Sequence, residues 1–181
     1  MNLTEYLSQT NIDGKGATDW LPFCALDITT GSLWVGDPHL ANADDGCVVE
    51  VPRGKYLVEA IGLAWGNDRI VSNIRVRLEG AENAELGEEL GDAGTDSAMI
   101  GVCDIEAFDQ AIGPDSGEEV QEAIESQTGD GVGVITFERF PGAEMPFIPI
   151  GSDGGGPVMA LMSGGERVGI ERKFMDEDDV A

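Results

Sequence analysis

Four aspartates in the second half of the chain stand beside flexible glycines, and residues of this kind can bind a hard cation. They are Asp92, Asp96, Asp104 and Asp130. Carboxylate oxygens on turns suit Ca²⁺ and Mg²⁺. The alternative is turn chemistry, because Asp bonds to its own backbone and Gly adopts positive φ. No segment matches the EF-hand loop, so the pattern favours turns and keeps Ca²⁺ as the one cofactor under consideration.

Three arginines lie on one side of the segment 69–78, which alternates as a half-buried strand does. They are Arg69, Arg75 and Arg77. Such a face can contact an anionic ligand or partner. The alternative is cross-strand pairing with the protein's own acids, which we favour because acids outnumber bases throughout the chain.

Other catalytic constellations are weak. A nucleophilic site needs a nucleophile, a base and an orienting group together, but the one histidine, His39, stands in a polar loop with no family signature around it or Cys47. There is no HExxH zinc motif, and the glycine run 151–156 lacks the pattern of a phosphate loop. We therefore expect a protein without enzymatic activity more than an enzyme.

The charge of the chain is strongly negative. Asp and Glu total 35 against 10 Lys and Arg, giving a formal net charge of −25. Nucleic-acid binding is disfavoured because the basic footprint that neutralises phosphates is absent. An acidic surface suits a basic protein partner, such as a toxin nuclease. A halophilic or marine source is a competing explanation, since salt screens the self-repulsion of an acidic surface.

The sequence also predicts a cellular location. The N-terminus has no basic segment followed by an apolar one, so no signal peptide is evident. No apolar run approaches the roughly 18 residues of a membrane span. Cys24, Cys47 and Cys103 form no CxxC pair and are typical of reduced thiols. We expect a cytoplasmic protein that does not bind membranes.

Short apolar runs separated by Gly, Pro and Asp predict a mainly β fold, α+β at the margin. About ten short strands with two or three short helices indicate an antiparallel sandwich or a curved sheet. The clearest strands are 47–51, 55–65 and 69–78, followed by an acidic surface connection over 79–90. No internal repeat of fixed period is visible.

The stretch Gly91–Asp104 is predicted to join three kinds of structure. Residues 91–95 are typical of a turn, and the apolar run 98–103 of a buried strand. Asp104 is a candidate N-cap for a helix over 105–112.

The length predicts one globular domain over 1–175, since a chain of this size can bury a sufficient core without disulfides or metal. The acidic tail 176–181 is predicted to be disordered.

Four short motifs occur in order between residues 31 and 174, and through them the chain resembles a bacterial domain family of unknown function. The resemblance implies a bacterial cytoplasmic domain, with an immunity-type or interaction role among some relatives, and no reaction. The motifs are Gly36-Asp37-Pro38, Pro52-Arg53-Gly54-Lys55-Tyr56, Asp92-Ala93-Gly94 with Asp104, and Gly129-Asp130-Gly131.

These observations lead to two expectations about function. The first is a non-enzymatic cytoplasmic interaction domain, immunity-type in one version, that binds a basic protein. The second is a calcium- or magnesium-dependent binding protein or hydrolase that uses the clustered aspartates.

Overall fold

The computed structural model describes residues 1–9, 16–40, 44–65, 68–112, 117–127, 131–137, 143–151 and 153–175. Asp130 and the predicted tail 176–181 lie outside the described residues.

The described residues are mainly β, as the sequence predicts, with eleven strands, three α-helices and a short 3-10 helix at Pro38–Leu40. The strands are β1 Gly16–Ile28, β2 Ser32–Gly36, β3 Cys47–Glu50, β4 Gly54–Trp65, β5 Asp68–Leu78, β6 Glu85–Thr95, β7 Met99–Asp104, β8 Gly133–Thr136, β9 Glu144–Pro149, β10 Gly154–Ser163 and β11 Glu166–Lys173. The helices are α1 Leu3–Leu7, α2 Ile105–Ile112 and α3 Gly117–Gln127. None of these described helices combines the length and the apolar character needed to cross a membrane.

The strands form two antiparallel sheets. The six-stranded sheet has the order β1-β4-β5-β11-β10-β6, and the five-stranded sheet has the order β3-β2-β7-β9-β8. A continuous apolar core contains buried residues of both sheets, including Tyr56 and Ile74 from the first and Leu33 and Val102 from the second. Burial of this apolar surface is the main favourable term in folding.

The two halves of the chain repeat one arrangement of five strands. Strands β1 to β5 in the first half correspond to β6, β7, β9, β10 and β11 in the second. In each half the first strand pairs with the fourth, the fourth with the fifth, and the second with the third. The halves meet along β5–β11 and β2–β7, so the order of the six-stranded sheet reads as a palindrome.

An insertion between β7 and β9 interrupts the second copy. It contains α2, α3 and β8, and it contributes to a second apolar cluster that includes Trp34, Phe108, Ile124 and Phe147. Because of this insertion, a longer interval separates β4 from β10 than separates β2 from β7. A search for a fixed period therefore misses the repeat.

Strand β6 corrects the expectation for residues 79–95. The sequence predicts an acidic connection over 79–90 and a turn over 91–95, whereas a strand covers Glu85–Thr95. Its first half is exposed on both faces, so it lacks the alternation that marks a half-buried strand. Backbone pairing with β10 forms the strand despite low β-propensity.

Candidate functional site

Asp37 follows β2 and is only 3% exposed. Its carboxylate accepts hydrogen bonds from the backbone N–H groups of His39, Asp96 and Ser97, each at 2.9 Å. The hydroxyls of Thr95 and Ser97 donate at 3.0 and 2.8 Å. Burial acts to raise the pKa of this carboxyl, but the donors outweigh it and lower the pKa below its ordinary value. Asp37 therefore stays ionised and holds the turn that precedes β7.

Asp104, the last residue of β7, is 5% exposed. Its carboxylate accepts bonds from the backbone N–H groups of Thr29 at 2.6 Å, Thr30 at 2.8 Å and Ala107 at 3.3 Å. The hydroxyls of Thr29 and Thr30 also donate to it. The bond from Ala107 confirms the predicted N-cap of α2. Burial opposes ionisation here too, and the donors again lower the pKa.

We call these two arrangements the Asp37 clasp, with residues 95–97, and the Asp104 clasp, with residues 29–30. Each joins the end of one central strand to the turn before the other. The same interval of sequence separates their parts: Asp37 corresponds to Asp104, Asp96 to Thr29, and Ser97 to Thr30.

The turns held by the clasps have matching backbones. The third turn residue has positive φ in both, 99° at Gly31 and 55° at Ala98. The carbonyl of Gly31 accepts a bond from Val51, and that of Ala98 accepts one from Ile150, both at 2.9 Å. The structural repeat thus extends to single hydrogen bonds.

Each clasp lines a cavity, and the two cavities differ in charge. The acidic cavity at the Asp37 clasp measures about 320 Å³, and its described lining contains no lysine or arginine. It is lined by Asp37, Leu40, Asp45, Gly46, Asp92, Gly94, Thr95, Asp96, Gly154 and Gly155.

The mixed cavity at the Asp104 clasp measures about 360 Å³ and includes Lys55 and several apolar side chains. It is lined by Ala25, Leu26, Asp27, Thr29, Lys55, Asp104, Ala107, Phe108, Ala143 and Glu144.

The four aspartates predicted as metal ligands are not brought together. Asp92 and Asp96 line the acidic cavity, whereas Asp104 lies at the far end of β7 and lines the mixed cavity. Asp130 lies outside the described residues. Within the described part of the chain, no group of three or more His, Cys, Asp or Glu side chains is arranged to hold a metal ion. Metal binding at Asp92 and Asp96 stays a prediction.

Two of the three predicted arginines pair with one glutamate. The Nε atoms of Arg75 and Arg77 lie 2.8 and 2.7 Å from Oε2 of Glu59. Burial acts to raise the pKa of Glu59, but both guanidinium groups together lower it. Arg75 also stacks on Trp20, 4.2 Å from the ring centroid. For these two arginines the structure shows the cross-strand pairing that we favour from the sequence.

Arg69 lies apart from this network. Its Nη1 donates to the backbone carbonyl of Asp68 at 3.0 Å, and its guanidinium lies 5.9 Å from the centre of the Tyr6 ring. An anion-binding role for the arginine face stays a prediction.

Other bases also make contacts within the fold. Lys55 lies 3.8 Å from Glu79, and Arg167 lies 3.3 Å from Glu88. Arg172 is 3% exposed and donates to the carbonyl of Ala93 at 3.0 Å, and burial lowers its pKa. With so few bases, the chain presents a predominantly acidic surface.

The three cysteines carry protonated thiols. Burial raises the pKa of Cys24 to about 12 and that of Cys47 and Cys103 above the ordinary value. Since the thiolate is the nucleophile, these thiols are unreactive. His39 contacts a glutamine instead, with its Nδ1 3.2 Å from Nε2 of Gln121.

Comparison of the chain with protein-family models, with curated proteins and with solved structures finds no match. The resemblance carried by the four short motifs stays an expectation.

Sequence reasoning passed over Asp37 and Glu59 as functional residues. The signal for Asp37 is an aspartate directly after a short apolar strand, preceded by a Thr- and Ser-containing turn, and it occurs twice in the chain. Glu59 gives no such signal, because its two arginine partners meet it only through the register of β4 and β5.

Proposed function

We propose that this protein is a non-enzymatic binding domain whose acidic surface docks a basic protein partner. An immunity-type protein that faces a basic toxin is one case of this function. The observation that carries the proposal is the acidic cavity, in which four aspartates line one opening without a lysine or arginine among the described lining residues.

The electrostatics support such a role. Asp92 and Asp96 are exposed, and both line the acidic cavity beside the buried charge of Asp37. Like charges grouped in a concave, low-dielectric wall focus the field and attract a partner of opposite sign. Complementary charge of this kind raises the association rate and selects among partners.

The state of the buried groups also favours binding over catalysis. Asp37 and Asp104 have lowered pKa values and are occupied by hydrogen-bond donors, so neither is poised to exchange protons near neutral pH. The thiols are protonated.

An arginine-rich peptide tests the proposal, with a citrulline peptide of the same sequence as the uncharged control. The change is Asp92→Asn with Asp96→Asn. The matched control removes two exposed charges elsewhere, Asp19→Asn with Glu122→Gln. Calorimetry at low salt is expected to show at least about tenfold weaker binding for the cavity variant, or about 1.4 kcal/mol.

The control variant is expected to change the Kd less than twofold. Equal weakening in both variants would show that bulk charge alone attracts the peptide, and no binding by the wild type at low salt would overturn the proposal.

Calcium-dependent binding in the same cavity is the second proposal. The observation in its favour is that Asp45, Asp92 and Asp96 share one opening. A ligand that binds the folded state raises stability by RT ln(1 + [L]/Kd). Millimolar CaCl₂ is then expected to raise the Tm above that in NaCl of equal ionic strength, and Asp92→Asn with Asp96→Asn to abolish the rise. An unchanged Tm would remove this proposal.

A further inference from the structure

Strand β6 is one edge of the six-stranded sheet, and β1 is the other. The structural repeat makes these two edges equivalent, but their sequences differ. β1 contains Pro22, which has no N–H to donate and blunts a sheet edge. By the interval that relates the clasps, Glu89 of β6 corresponds to Pro22, and β6 contains no proline. β6 is thus the edge that retains its backbone donors.

The two halves of β6 have different surroundings. In the second half, Ala93 and Thr95 are 1% and 4% exposed and face the interior of the sandwich. In the first half, Glu85, Glu88 and Glu89 are exposed, and Leu86 is 59% exposed. Among the described residues, β10 is the one strand that pairs with β6. The open edge is therefore Glu85–Leu90.

We propose that an extended basic segment of the partner adds to this edge as a seventh strand along Glu85–Leu90. This inference rests on the proposed function and specifies where and how the partner binds. In strand addition, main-chain hydrogen bonds provide affinity, and alternate side chains provide specificity. Lysines or arginines of the segment would meet the three glutamates, and an apolar residue between them would cover Leu86.

The charge of β6 selects this occupant over a second copy of the chain. Edge-to-edge pairing of two β6 strands would place glutamates beside glutamates, and like charges opposite each other destabilise a strand pair. A basic strand replaces that repulsion with attraction.

Two peptides of identical composition test the proposal. Both alternate Lys and Val over nine residues, and in the second every other residue is the D enantiomer, so it keeps the charge but cannot extend as a strand. The all-L peptide is expected to bind at least about tenfold more tightly. Equal Kd values would overturn strand addition and leave charge-driven docking standing. If neither peptide binds at low salt, strand addition falls, and the proposed function is judged on the arginine-rich peptide.

Amide hydrogen exchange locates the binding. With the all-L peptide, exchange is expected to slow across Glu85–Leu90 and to stay unchanged in β1. Glu85→Gln with Glu89→Gln is expected to weaken binding about tenfold, against less than twofold for the exposed control pair Glu50→Gln with Glu122→Gln. Protection elsewhere, or concentration-dependent dimerisation that protects β6 without peptide, would overturn the proposal.

Discussion

At the two ends of the β2–β7 pair, a buried aspartate holds the turn that precedes the opposite strand. The Asp37 clasp and the Asp104 clasp each use three backbone N–H donors and two hydroxyl donors among the described residues. Their outer surroundings differ, because one cavity is lined by four aspartates and the other contains Lys55 and Phe108. What the clasps share is structural, and what the cavities do not share is where a ligand would discriminate between them.

The comparison also changes the status of the aspartates that stand out in the sequence. Asp104 looks like a metal ligand among glycines, yet its oxygens are occupied by amide and hydroxyl donors. Asp92 and Asp96 have no equivalent acids in the other clasp, since Ala25 and Thr29 occupy the corresponding positions. Acids that are not repeated are the better candidates for function.

The largest expected effect comes from removing either clasp. Asp37→Ala and Asp104→Ala each leave backbone N–H groups buried without an acceptor, so we expect each to lower the free energy of unfolding by about 3 kcal/mol or more. Urea denaturation monitored by circular dichroism measures this loss.

The exposed neighbour Asp96 provides the control, and Asp96→Ala is expected to change stability by less than about 0.5 kcal/mol. A much smaller loss for Asp104→Ala than for Asp37→Ala would show that the two clasps are not equivalent.

A smaller effect is expected from pH. Both clasp aspartates have folded-state pKa values below the ordinary 3.8, so their stabilisation is fully present above that value and is lost as pH falls through the lower folded pKa. The difference in unfolding free energy between wild type and each Asp→Ala variant is therefore expected to shrink as pH falls from 6 to 3. A difference that stays constant over this range, in urea melts at fixed ionic strength, would contradict the role of the ionised carboxylate.

The smallest effect is expected at the third turn residue, where the clasps carry different side chains in the same backbone conformation. Gly31→Ala would place a Cβ 3.1 Å from the carbonyl of Val51 at a φ of 99°, and we expect a loss of about 1–2 kcal/mol. Ala98→Gly relieves a positive φ of 55°, and we expect a gain of about 0.5 kcal/mol in the free energy of unfolding. Thermal melts of both variants measure these shifts, and effects of the same sign would contradict the equivalence.

Local patterns in the sequence were enough to predict the mainly β fold and the cap at Asp104. Turn residues between apolar runs mark most strands, and Asp followed by a helical pattern marks an N-cap. Strand β6 escaped prediction because pairing with β10, rather than burial of alternate side chains, makes Glu85–Thr95 a strand.

The candidate site was harder to predict, because its residues meet only in the folded chain. Asp37 and Asp96 come together through the antiparallel register of β2 and β7. Glu59 meets Arg75 and Arg77 through the register of β4 and β5. No local pattern encodes such registers, whereas the interval between the clasps is visible in the sequence once the pairing is known.

The connection between β5 and β6 is the one covalent link between the two structural copies. A chain opened between Leu78 and Glu85 would consist of two fragments, each with five or six strands, that share the β5–β11 and β2–β7 seams and exchange the two clasps. The fold therefore has the geometry of a dimer written into one chain, and co-expressed halves are natural candidates for a split reporter.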